Sequence, residues 1–132
     1  MHRFPVTVYY EDTDMGGIVY HANYLRFIER ARSDWVDQLG NDQNAMRESG
    51  IVWVVRKLSC EYLATAKFKD KLEVQTTIET LSGARLTMAQ VVLKGTQPIF
   101  RASVTAVCMT ADGRPTRLPA EIRALISEIP AK

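Results

Sequence analysis

The chain has 132 residues, room for one domain with a real core and too little for two ordinary ones. Its apolar content of 46%, with 24% charged residues, seven Gly and five Pro, excludes a disordered, linker-rich or collagen-like chain. A net charge of +2, from 17 basic and 15 acidic side chains, excludes a nucleic-acid binder working by general attraction. The charge is uneven, however. Residues 1–66 carry seven basic and nine acidic side chains and residues 67–132 ten and six, so the later half suits an anionic ligand.

Residues 5–11 alternate Val6, Val8 and Tyr10 against Thr7 and Tyr9, which predicts an opening strand, with His2 in a mobile end before it. Asp12, Thr13, Asp14, Met15, Gly16 and Gly17 then form an acidic turn whose glycines permit close backbone approach. From Tyr24 the period becomes helical: Tyr24, Phe27, Ile28, Ala31, Trp35 and Leu39 make one stripe, with Asn23 as a candidate cap and Gly40 as a stop. Tyr20 lies on the same stripe, so the helix is also free to begin soon after Gly17. On its polar face Asp34 falls four residues after Arg30, the spacing of a helical ion pair.

A short helix fits Gln43–Glu48, and the apolar run at 51–55 continues toward Tyr62 as a long strand. Residues 71–80, 86–94 and 99–109 read as three further strands by alternation, separated by Ser82 with Gly83 and by Gly95 with Pro98. Residues 119–129 read as a terminal helix with Ile122, Leu125, Ile126 and Ile129 on one side, a stripe that packs within the protein or on a neighbour. One strand, a long helix and four strands joined by short turns predict a single α+β domain over residues 1–132, an antiparallel sheet covering one apolar helix. Cys60 and Cys108 form no CxxC and read as buried apolar side chains in a reducing compartment. With no apolar leader and no run of about 18 apolar residues, the expectation is a cytoplasmic protein, at most peripheral to the inner membrane through its terminal helix.

The stretch from Tyr10 through Asp14, Gly16, Gly17 and His21 to Tyr24 resembles the motif of the hotdog-fold acyl-CoA thioesterases of the 4-hydroxybenzoyl-CoA thioesterase group. Within it the chain is most similar to the small bacterial thioesterases encoded with the Tol-Pal envelope machinery. The likeness continues through Glu29, Arg30, Ala31 and Arg32 and through Val54, Val55, Arg56 and Lys57. It implies an antiparallel sheet wrapped around a long central helix, a dimer with active sites at the shared interface and further assembly into a tetramer. It also implies hydrolysis of an acyl-CoA thioester without a cofactor, CoA being part of the substrate.

The family's essential carboxylate maps onto Asp14, which either attacks the thioester carbonyl or activates a water; Asp12 reads as organising the turn. Charge develops on the carbonyl oxygen as the tetrahedral state forms, so donors must be aimed at it. The start of the long helix supplies them, the key amide mapping near His21, with Gly16 and Gly17 allowing close approach. The resemblance also brings in the His21 ring and Tyr10, whose hydroxyl is placed to orient Asp14 or His21. Glu29, about 12 Å further along the helix, reads as a surface or ion-pair residue.

CoA carries phosphates on a thin pantetheine arm, so Arg56, Lys57, Lys67, Lys69, Lys71 and Arg85 are candidate mouth residues. Tyr24, Phe27, Trp53 and Tyr62 are candidates for an acyl pocket, although core packing accounts for them equally. An acyl-carrier protein is the alternative substrate partner, and a non-catalytic acyl-thioester-binding envelope scaffold the alternative role. No set of Cys, His and carboxylates has metal-ligand spacing.

Overall fold

A computed structural model describes residues 1–40 and 42–127. Five strands, β1 (His2–Thr7), β2 (Ile51–Tyr62), β3 (Lys71–Leu81), β4 (Arg85–Lys94) and β5 (Gln97–Thr110), form one sheet in the order β1-β3-β4-β5-β2. Every neighbouring pair is antiparallel. Helix α1 (Asn23–Gln38) packs on one face, α2 (Gln43–Glu48) leads into β2, and α3 (Ala120–Ser127) follows the sheet.

The period of α1 dictates its contact face, for Tyr24, Phe27, Ile28, Ala31 and Trp35 are all buried. Opposite them stand the inward residues of the strands, Leu72 and Val74 on β3, Met88 and Val92 on β4, and Phe100, Val104 and Cys108 on β5. Each large apolar side chain so enclosed contributes about 1.5–3 kcal/mol relative to exposure. A fully buried amide ties the two layers. Gln90 donates through Nε2 to the Ile28 carbonyl and to Thr76 Oγ1, both at 3.0 Å, and its Oε1 accepts from Arg32 Nη1 at 2.9 Å. A buried amide satisfied three ways fixes how helix and sheet meet.

Several expectations change. The opening strand begins at His2 and ends at Thr7, because the chain then enters a 3-10 turn at Tyr10–Asp12 whose Asp12 carboxylate accepts from the Tyr9 amide at 2.8 Å. His2 is a buried strand residue, its Nε2 2.8 Å from Asp34 Oδ2 and its ring stacked on Trp35. Asp34 thus pairs with His2 and accepts from Gln38, and Arg30 sits over the Phe27 ring. Cys108 is buried on β5, inside the sheet, whereas Cys60 is exposed on β2, an edge strand. The apolar side of α3 turns inward through Ile122 and Ile126, and Arg123 Nη1 donates to the Ser82 carbonyl. Ile129 and the Leu125 side chain lie outside the described residues, which include no helix long and apolar enough to cross a membrane.

Candidate active site

Asp12 builds the site from a buried position. Besides the Tyr9 amide it accepts from Asn23 Nδ2 at 2.9 Å, and the Tyr20 amide donates to its carbonyl at 2.8 Å. Asn23 is therefore the first residue of α1 and a clamp to the loop; Ala22, with no side-chain bond, occupies the cap position. The expected Asn23 cap is absent because Asn23 is already the first helical residue, one position past the cap, and its Nδ2 donates back to Asp12.

Beyond Asp12 the chain makes a tight hairpin. Thr13 bridges Val19, the Asp14 amide donates to the Ile18 carbonyl, and the Gly17 amide returns to the Asp14 carbonyl, both at 3.0 Å. Gly17 has φ +79°, the left-handed conformation that a Cβ opposes. Asp14 lies exposed at this bend, with Oδ1 accepting from the Gly16 amide at 2.8 Å and Oδ2 without a partner among the described residues. A Cβ on Gly16 would come within 3.1 Å of Asp14 Oδ1, so glycine leaves the carboxylate its place.

The hairpin runs directly into α1. The Asn23 amide donates to Tyr20 and the Leu25 amide to Ala22, while the His21 and Ala22 amides find no acceptor among the described residues. Open amides at a helix start, with the positive end of the helix dipole behind them, suit developing negative charge. The His21 ring is exposed, tilted against Tyr20 at 4.5 Å between centroids and edge-on to Tyr62 at 6.3 Å. Tyr62 Oη donates to the His21 carbonyl at 2.9 Å. Partial desolvation, and after it the Cys60 sulfur, push the phenol of the half-exposed Tyr62 above its ordinary value.

Tyr10, 80% exposed, packs edge-on against Phe68 and makes no hydrogen bond to Asp14 or His21 among the described residues. Glu29 is exposed on α1; its charge acts on the Arg32 guanidinium, but it forms no salt bridge among the described residues. Of the candidate mouth cations, Lys67 lies closest in the fold, since Ile18 bridges it. Lys67 and Lys94 converge on Asp70, whose carboxyl is raised by burial but brought below its ordinary value by the Lys67 amide and the two ammonium groups. Lys69 stands over the Phe68 ring and Lys71 Nζ reaches Thr7 Oγ1. Arg56 is the unpaired residue of the bulge in β2, and Lys57 follows it. Arg85 begins β4 at the end remote from Lys94, about 30 Å away along the strand, which separates it from Lys67, Lys69 and Lys71 in one protomer; across β5 it lies level with Val54, on the side of Arg56 and Lys57.

Tyr24 and Phe27 belong to the core. Trp53 lines a cavity of about 210 Å³ between the second half of α1, the sheet and α3, together with Arg32, Leu39, Met88 and Ile122. Asp14 is not among the residues lining it. Tyr62 was legible only as an aromatic; its bond to His21 spans 41 residues and depends on the β2 register, which no local spacing reveals. The described residues hold no group of three His, Cys, Asp or Glu able to bind a metal ion.

Comparison with known proteins places this architecture. A family model described as the thioesterase-like superfamily matches residues 8–126. The acyl-CoA thioesterase YbgC of Haemophilus influenzae is 38% identical over 123 residues, covering 92% of this chain and 90% of its own. The acyl-CoA thioester hydrolase YbgC of Escherichia coli O157:H7 is 40% identical over 124 residues, 92% of each. Among solved structures, a probable thioesterase from Bartonella henselae superposes with a TM-score of 0.85 at 36% identity, covering 89% of this chain and 98% of that one. The chain therefore belongs to the thioesterase-like superfamily, and its sheet wrapped around α1 is the hotdog fold.

Proposed function

We propose that the protein hydrolyses acyl-CoA thioesters, with Asp14 as the reacting carboxylate and the His21 and Ala22 amides as donors to the carbonyl oxygen. The observation that carries this reading is that one hairpin presents both parts: an exposed carboxylate with an unengaged oxygen, and the open amides where the chain enters α1. The relatives, acyl-CoA thioesterases by name, support the reaction class.

In one route Asp14 attacks the thioester carbon, the C–S bond breaks, CoA leaves as its thiolate, and water then cleaves the mixed anhydride. In the other Asp14 takes a proton from water as the water attacks, and the C–S bond breaks from the tetrahedral state. Both place negative charge on the carbonyl oxygen, where preorganised amides lower the barrier. A single turnover in 18O-water separates them, because only the anhydride route, by attack of water at the aspartyl carbon, can place the heavy isotope in Asp14.

Lys67 and Lys69, next to the hairpin, are the mouth residues this reading favours for CoA phosphates. The proposed working unit is a dimer joined along β2, the longer of the two edge strands of the sheet. Asp14→Asn retains an Oδ1 acceptor for the Gly16 amide, so its fold should persist. Thiol release from a panel of acyl-CoAs should fall about 10²- to 10⁴-fold in this variant. Wild-type turnover by it would overturn the assignment of Asp14. Preferential turnover of the matched acyl-carrier thioester would overturn CoA as the substrate partner.

A further inference from the structure

We infer that Tyr62 orients and polarises the peptide unit between His21 and Ala22, and so acts as a positioning residue for the donor amide that meets the thioester oxygen. This rests on the reading above, in which Asp14 and the amides preceding α1 form the reacting site.

The Tyr62 hydroxyl donates to the His21 carbonyl at 2.9 Å from the last residue of β2. A trans peptide is planar, with its C=O and N–H pointing in opposite directions, so fixing the His21 oxygen fixes the bearing of the Ala22 N–H. Hydrogen bonds in such a chain strengthen one another: a proton donated to the carbonyl draws electron density from the conjugated nitrogen and makes its N–H a better donor. The Ala22 amide is available for that purpose, finding no acceptor among the described residues. Asn23 clamps the next residue to Asp12, leaving the preceding peptide to be set by a different group.

Packing does not account for the hydroxyl. The Tyr62 ring is held edge-on by Phe100 at 5.1 Å and by Tyr24 at 5.8 Å, contacts that a phenyl ring would keep. With the side chain still 48% exposed, burial did not oblige the hydroxyl to find a protein partner. Its bond to one backbone oxygen at the start of α1 is a separable feature.

The test is Tyr62→Phe, with melting temperature and assembly checked against the wild type. Turnover should fall about ten- to a hundredfold, with KM and the affinity for a non-hydrolysable S-alkyl-CoA thioether, which has CH2 in place of the thioester carbonyl, unchanged. Incorporating 3-fluorotyrosine at position 62, which restores a more acidic donor, should return kcat to at least the wild-type value below the pKa of that phenol. Wild-type kcat in Tyr62→Phe, or equal losses in thioether affinity and turnover, would overturn the inference. Asp14→Asn assayed alongside separates the two failures. A large loss there with wild-type kcat in Tyr62→Phe sinks the role of Tyr62 alone, whereas wild-type turnover in Asp14→Asn removes the reading on which both rest.

Discussion

Gly16 and Gly17 stand side by side in the Asp14 hairpin, yet the backbone asks different things of them. Gly17 occupies the left-handed region with open space where a Cβ would go, so Gly17→Ala meets only a conformational cost, about 1–2 kcal/mol, read as a lower denaturation midpoint. Gly16 has no such backbone demand, but its missing Cβ leaves room for Asp14 Oδ1 at 3.1 Å. Gly16→Ala should therefore leave the denaturation midpoint nearly unchanged and lower kcat by displacing the carboxylate. The opposite pattern, a stability loss at 16 and an activity loss confined to 17, would mean that the carboxylate is not held by this bend. Asp12 completes the arrangement, for its buried bonds to Tyr9 and Asn23 tie the hairpin to the start of α1.

At the scale of elements, α1 and strands β3 to β5 were legible because each has one wet and one dry face, which imposes a period of 3.6 or 2 on the sequence. The acidic turn and its likeness to a thioesterase motif were legible for a similar reason: they are local. What escaped was set by partners distant in the chain. His2 is buried by Asp34 and Trp35, and Cys60 is left bare on β2, a strand at the edge of the sheet.

Cys108, by contrast, faces the core from β5, and burial raises its thiol from 9.0 to about 11. The unfolded thiol ionises first, so between pH 9 and about 11 the unfolded chain releases a proton that the folded chain keeps. That contribution to stability is intact below pH 9 and declines through this window. Denaturation midpoints measured from pH 8 to 11 should fall more steeply in the wild type than in Cys108→Val, which keeps an apolar side chain of similar size. Equal slopes would show that Cys108 takes no part.

For the whole molecule the deciding feature is the free side of β2. Twelve residues long, it pairs with β5 on one side only, and Val55, Leu58 and Tyr62 remain 46%, 37% and 48% exposed. A long apolar edge of this kind invites pairing with another strand, and a second copy related by a two-fold axis offers an identical antiparallel partner. Such pairing would join two five-stranded sheets into one of ten strands. It would also bring residues of one protomer's β2 near the Tyr62 end of the other, beside the His21 peptide. Sedimentation equilibrium should find the wild type as a dimer or a dimer of dimers. Leu58→Glu, which places a charge on that edge, should shift the mass toward the monomer and reduce acyl-CoA turnover in parallel, with activity recovering as protein concentration rises. A wild-type monomer that is fully active at assay concentration would refute the shared sheet and leave each hairpin a self-sufficient site.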